Sequence, residues 1–482
     1  INGIEAAYAL YEDRSDDNQL TVNSILSSEL TENILINASV NYKNLESKNF
    51  GEILDVLGSN VGVLNVDSFD NYQYDTQNPN RIVNEGDKYR YNYNLYANVI
   101  SGYAQAQFKY NKVDFYVSGS LTNTTYQREG LWEHSRFLGD ASFGKGEKLS
   151  FTGFGAKGGV TYKITGKHLV DVNAGYITRA PSLRNTYSNS RENQNTVNGI
   201  TEEKVSSIDA SYIFRSPIVK AKLTGYYSKI ADANEVGFYY ADGLSGFDIQ
   251  DNDTSAFVQE VLQGIDKKHI GVELGIEAQV TPTIKLKGAA SVGQYTYDNN
   301  PNLYLTSASF ETQDGSIPYG QANLKDYKIA GGPQRAASIG FEYRDPDYWW
   351  FGATANFFSN AYADINALTR TENFYLDGDG LPFNDFDEDI AKEILKQEEF
   401  DEYMVVNLVG GKSWRIDDYY IGFFASVGNL LDKKYKTGGF EQGRNANYRE
   451  LRDDNSNPKR VFGPKYWYGR GTNYFVNVYF RF

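Results

Sequence analysis

The chain has 482 residues, a net charge of -15 and no cysteine. The missing thiols exclude disulfides, thiolate metal centres and cysteine nucleophiles. The acidic balance argues against nucleic acid, whose binding needs a basic footprint. A mean hydropathy of -0.54, with no long apolar run, excludes transmembrane helices. It leaves open a membrane barrel, where only every second residue faces lipid. An aromatic content of 15%, with 39 Tyr and 28 Phe, suits the aromatic girdles of such a barrel.

In chain order, the signal is period-two alternation punctuated by turns. A first strand over 4–12 opens the count. Tight turns read at Thr31-Glu32-Asn33, Asn111-Lys112, Thr165-Gly166-Lys167, Arg215-Ser216-Pro217, Thr281-Pro282-Thr283, Asp345-Pro346-Asp347 and Asp417-Asp418. Between successive tight turns lies one long polar connection, near 45–98, 127–149, 180–202, 231–267, 298–332, 361–402 and 430–471.

The strands between them alternate strictly. Val170, Val172, Ala174 and Tyr176 oppose Asp171, Asn173 and Gly175. Val219, Ala221, Leu223 and Tyr227 oppose Lys220, Lys222, Thr224 and Ser228. Ile270, Val272, Leu274, Ile276, Ala278 and Val280 oppose Gly271, Glu273, Gly275, Glu277 and Gln279. Soluble strands average about 5–6 residues, whereas a tilted membrane strand needs about 9–11. Short turns on one rim and long loops on the other are the outer-membrane arrangement. The predicted fold is therefore all-β: a transmembrane antiparallel up-and-down β-barrel with about 16 strands present, occupying residues 1–482. Val236 to Tyr240 and Phe257 to Leu262 are assigned to loop structure. Ile390, Ala391, Ile394 and Leu395, following Asp387 and Asp389, predict a short amphipathic helix. The last strand, 472–482, places Tyr474, Val476, Val478, Phe480 and Phe482 on one face.

Several stretches resemble TonB-dependent outer-membrane receptors of the Bacteroidota type. Val427-Gly428-Asn429-Leu430-Leu431-Asp432-Lys433-Lys434-Tyr435 resembles the family's near-terminal Asn-Leu-Phe-Asp motif, with Leu431 in place of Phe. Arg179-Ala180-Pro181-Ser182 resembles its Arg-x-Pro element, and Glu202-Glu203-Lys204-Val205 the Glu-containing strand that follows. Gly271-Val272-Glu273-Leu274 resembles its Gly-hydrophobic-Glu strand start. The terminal alternation ending on Phe482 looks like the signature read by the barrel assembly machinery. The family's barrel has about 22 strands around an N-terminal plug. The resemblance thus implies a plug, a TonB box and roughly six strands upstream of Ile1. It also implies contact with TonB through that region. The motifs of the SusC-like branch are missing, which disfavours a SusC-type glycan importer.

Motifs with possible chemistry read mostly as structure. Gly153-Phe154-Gly155-Ala156-Lys157-Gly158 matches a dinucleotide fingerprint but continues into alternating Val160-Thr161-Tyr162, so it reads as a strand. His168 falls at the tight-turn rim, while His134 and His269 fall on the long-loop side, so the three cannot share one site. No enzyme motif and no cofactor motif is read. Asp377-Gly378-Asp379-Gly380 with Asp385 lacks EF-hand spacing and is at most a weak cation loop. Ligand-contact candidates are aromatic and basic loop residues: Tyr187, Arg184, Arg191, Phe238, Tyr239, Tyr240, Phe247, Phe374, Tyr375 and Trp467, with Tyr466 and Tyr468. Trp349 and Trp350 are placed in the lower girdle.

The implied function is TonB-dependent import of a scarce nutrient, with a metal chelate or peptide ahead of a glycan. A structural subunit of a larger outer-membrane complex, or one bound to a surface lipoprotein, is a second reading. A passive porin is the third. Outer-membrane lipid and lipopolysaccharide are partners in each case.

Overall fold

The computed structural model describes residues 6–68, 71–245, 254–310, 312 and 314–482. Its dominant element is one 18-stranded sheet. Three members are short appendages, Gly144–Lys145, Asn302–Thr306 and Ser316–Gln321. The others follow in chain order: β1 (Leu10–Thr31), β2 (Ile34–Asp55), β3 (Lys88–Lys109), β4 (Val113–Gly130), β5 (Leu149–Lys163), β6 (His168–Arg179), β7 (Glu203–Arg215), β8 (Val219–Ala241), β9 (Ala256–Gln279), β10 (Ile284–Tyr297), β11 (Arg335–Arg344), β12 (Trp349–Ser359), β13 (Tyr403–Ile416), β14 (Tyr419–Gly428) and β15 (Asn473–Arg481). Each pairs antiparallel with its sequence neighbours, giving an up-and-down meander. Among the described residues β1 pairs only with β2, and β15 only with β14.

Among the described residues there is no separate first strand within 4–12: residues 6–9 are not in a strand and 10–12 open the next one. Leu10–Thr31 is one 22-residue strand, and 1–5 lie outside the described residues. The polar run after Glu12 resembles a turn in sequence. It stays extended because its backbone pairs continuously with β2, supported by side chains: Arg14 pairs with Glu52 at 2.8 Å and Ser15 with Asn49 at 2.8 Å. The long strands therefore begin with one that runs toward the tight turns rather than away from them.

Every predicted tight turn joins the expected strands, and every long connection lies at the opposite rim. The two faces differ as the alternation requires. Leu223, Leu274, Ala290, Ala337 and Phe357 form one lateral row, and Thr224, Glu273, Ser291, Ala336 and Phe358 the row on the other face. On the polar face Asp171 accepts from Thr161 at 2.5 Å and from Asn173 at 2.7 Å. Asn173 also reaches Asp209 at 3.1 Å. Nearby, Lys163 pairs with Asp114 at 2.7 Å. Glycine serves this face where aromatic rings lie across the sheet. Tyr226 crosses Gly271, where a Cβ would stand 2.5 Å from its hydroxyl, to reach the Tyr295 hydroxyl at 2.6 Å. Of the paired tryptophans, Trp349 joins the apolar face beside Tyr343, but Trp350 turns to the polar face, 6.0 Å from Phe424. Adjacent strand residues point to opposite faces, so only Trp349 can serve a lipid girdle.

Strand length is uneven. β1, β2 and β3 have 22 residues, β8 has 23 and β9 has 24, whereas β11 and β14 have 10. About 9–11 residues cross a bilayer, so half of each long strand stands beyond it on the long-loop side. Here the structure corrects the reading of 231–267. Val236 to Tyr240 and Phe257 to Leu262 are not loop but the upper ends of β8 and β9, paired as Val236 with Val261 and Tyr240 with Phe257.

Candidate functional site: a folded cap on the long-loop rim

Above the rim, the connections fold into a cap with its own hydrophobic core. The hairpin Asn302–Thr306/Ser316–Gln321 adds to the upper end of β9. Leu303 and Leu305 from it pack with Leu244, Val258, Leu262, Tyr319 and Leu368. A second cluster gathers Phe374, Phe383, Ala391, Leu395 and Tyr448 around two helices. The first, α1 (Glu388–Ile394), is the predicted helix, capped by Asp387, which accepts from Asp389 N and Ile390 N. The second, α2 (Tyr448–Ser456), escaped prediction because only Tyr448 and Leu451 mark its apolar face within a run of charged residues; Asn447 caps it.

Charges are enclosed with the core. Arg370 is buried and pairs with Glu441 through both terminal nitrogens, while its guanidinium lies 5.3 Å from the Tyr327 ring. Arg128, also buried, pairs with no carboxylate among the described residues. It donates to Ser190 O at 2.7 Å and Ser142 O at 2.9 Å and lies 5.3 Å from the Tyr93 ring. Burial alone pulls its guanidinium down to about 10. Burial likewise pushes Glu260 up to about 7, although Tyr239 donates to it at 2.5 Å. Asp364 stays exposed at the edge of the cap, yet desolvation by the surrounding protein and then the nearby Glu235 carboxylate raise it to about 6.

The cap sorts the candidate contact residues. Phe374 and Tyr187 are fully enclosed and present no face to a ligand. Tyr239 is committed to Glu260. Arg191 pairs with Asp13 at 3.0 Å and lies over the Tyr91 ring. Arg184 is exposed on the single-turn helix Leu183–Asn185. Phe238 and Tyr240 are exposed on β8, Tyr240 with Arg444 4.2 Å above its ring. Trp467 is exposed beside Phe440 on the hairpin Lys436–Phe440/Lys465–Tyr468, with Tyr468. Tyr466 donates to Glu398 at 2.6 Å. Tyr375 is half-buried on the flank of α1. Phe247 lies outside the described residues.

The cation candidates do not converge. Asp385 is held by Arg449 and Arg452, both at 2.8 Å, which keep its carboxyl down at about 2. Asp377 turns its oxygen onto the backbone of Asp379 and Leu381. Among the described residues no group of acidic and histidine side chains has a metal-holding arrangement. The histidines stay apart: His134 is buried among Tyr72, Tyr74 and Phe137, and His168 meets Tyr212 at the tight-turn rim.

The short motifs acquire physical roles. Asn429 ends β14 in the left-handed region and is nearly enclosed. Its amide donates to Lys433 O at 2.9 Å and Arg470 O at 3.0 Å, and its own oxygen accepts from Lys433 N. It thus ties both ends of the last connection to the rim. Arg179 pairs with Glu203 at 2.8 Å, joining β6 to β7 where the 180–202 connection begins and ends.

Comparison with known proteins agrees with this architecture. The family model described as TonB dependent receptor-like, beta-barrel matches residues 3–430. No curated protein matches by sequence. Among solved structures, the copper transporter OprC superposes with a TM-score of 0.59 at 12% identity, over 98% of this chain and 57% of that one. The siderophore receptor PiuA from Acinetobacter baumannii gives 0.58 at 11% identity, over 97% and 56%. The ferric citrate transporter FecA in its unliganded form gives 0.54 at 9%, over 98% and 55%. The chain thus spans little more than half the length of these proteins, and at such identities what is shared is the fold. With a sheet of matching topology, segregated loop lengths and a family match along most of its length, the chain belongs to the TonB-dependent receptor-like β-barrels of the outer membrane.

Proposed function

We propose that the protein takes part in active import: a scarce solute is captured at the cap and passes the polar-faced wall, with TonB supplying the drive. The family match over residues 3–430 carries this reading. Among substrates, a metal chelate or a peptide stands ahead of a glycan. The copper, siderophore and ferric citrate proteins of the same fold favour the chelate. Arg184, Phe238, Tyr240 and Trp467 are the contact residues we assign, because they combine exposure with aromatic or cationic chemistry. The test is uptake of radiolabelled iron and copper chelates by cells lacking this gene, compared with cells lacking TonB. Equal loss in both strains is expected. Uptake that survives without TonB, with ion conductance in planar bilayers, would replace import by passive diffusion.

Membrane insertion is assigned to β15. Tyr474, Val476, Val478 and Phe480 share one face, opposite Val427, Ala425, Phe423 and Ile421, and Phe482 continues it. Phe482→Ser is expected to lower the assembled, heat-modifiable protein several-fold while leaving synthesis unchanged. Unaltered assembly would remove the signal from this strand.

A further inference from the structure

We propose that the cap carries a binding site for a planar aromatic anion, in a cleft of ≈ 610 Å³ on the flank of α1. The volume lies within the range of small-molecule pockets. Its walls are the rings of Tyr375 and Phe386, which meet at 5.2 Å with their planes 87° apart. Two rings at a right angle form a corner. A third flat ring can lie against one face and present its edge to the other, satisfying both quadrupoles at once. The buried side chains of Ala391 and Leu395 make the floor apolar.

The polar groups select the charge. Glu388 is neutralised by Lys392 at 2.6 Å. Lys396, one turn further along the same flank, is exposed and forms no ion pair among the described residues. The Tyr375 hydroxyl likewise makes no hydrogen bond among the described residues, while the Tyr327 hydroxyl donates to Leu395 O. Arg370, beneath Tyr327, is already held by Glu441. What the cleft offers is an aromatic corner, one free ammonium and one free phenol. A sugar would need several amide or carboxylate partners, and the one carboxylate here is taken. A bare cation would meet an excess of positive charge. A flat ring bearing one carboxylate matches all three groups.

Binding to the intact protein in detergent tests this site independently of import. Calorimetric titration would use 2-naphthoate, its saturated counterpart decahydro-2-naphthoate, and the uncharged 2-naphthamide. Binding of 2-naphthoate is expected, with both counterparts weaker by about tenfold or more. Lys396→Glu, an exposed change, should weaken 2-naphthoate about tenfold with an unaltered thermal transition. Phe386→Ala should weaken it as well, whereas Trp467→Ala should not. Equal affinity for the saturated acid, unchanged affinity in Lys396→Glu, or no binding at millimolar ligand would each overturn the proposal.

Discussion

The wall and the cap use the same side chains to opposite ends. In the wall, Leu274, Val292 and Ile339 are 43%, 55% and 71% exposed. In the cap, Leu244, Leu305 and Phe374 are all at 0%. The difference is the solvent each region meets. The wall satisfies its backbone through the strand ladder and turns its apolar row to lipid, which demands nothing but hydrocarbon. The cap stands in water and must bury its apolar area as a soluble domain does. The burial of Val236, Val258, Val261 and Leu262 therefore marks where β8 and β9 pass from the wall into the cap.

The comparison breaks first in the cap. Phe374→Ala removes a ring packed against Tyr375 and Tyr448, in a cluster with Phe383, Ala391 and Leu395, and should cost about 3–5 kcal/mol locally. Hydrogen exchange should rise in 361–402 and in α2 while the lower halves of the strands stay protected. Equal loss in the wall would mean that cap and wall are one cooperative unit. The next largest effect belongs to the wall. Leu274→Arg puts a charge on the lipid face and should destabilise by about 2–4 kcal/mol near the midplane, whereas Glu273→Arg on the polar face should be tolerated. Urea unfolding from bilayers checks this, and equal costs at the two positions would reverse the facing.

The wall was legible because its period is two and its turns carry Pro, Gly, Asn and Asp. The alternation of Ile270 to Val280 contained the facing without further information. The cap was legible only where a local rule applied, as at the Asp387-capped helix. Val236, Phe238 and Tyr240 do alternate, but inside a long polar connection that pattern is indistinguishable from an irregular loop without its partner, Phe257 to Leu262. The ion pair of Arg370 with Glu441 spans 71 positions and leaves no trace in either segment. Burial of Phe374 and Tyr187, and exposure of Trp467, depend on which loops meet. Loop composition therefore does not tell which aromatic and basic residues stay exposed once the loops meet.

The smallest expected effect sharpens the comparison by pH. Glu260 sits between β8, β9 and the turn at Leu368, with Tyr239 donating to it and the carboxylates of Asp364 and Glu235 nearby. Lys267 is engaged by Glu235 and Arg370 by Glu441, so neither cation is free to neutralise it. Desolvation raises half-buried Glu260 to about 7, and desolvation with the neighbouring Glu235 raises Asp364, which stays exposed, to about 6, above the values of the unfolded chain. The folded cap therefore binds more protons than the unfolded cap between about pH 4 and pH 7, and its stability falls as pH rises through that window. The two groups repel one another, so their contributions overlap rather than add. Exchange rates corrected for intrinsic chemistry should show the upper ends of β8 and β9 opening more readily at pH 8 than at pH 5. Glu260→Gln keeps an acceptor for Tyr239 and removes the charge, so it should flatten that dependence. A slope that survives Glu260→Gln would move the titration to Asp364, and a cap with no pH dependence would mean that water reaches both carboxylates.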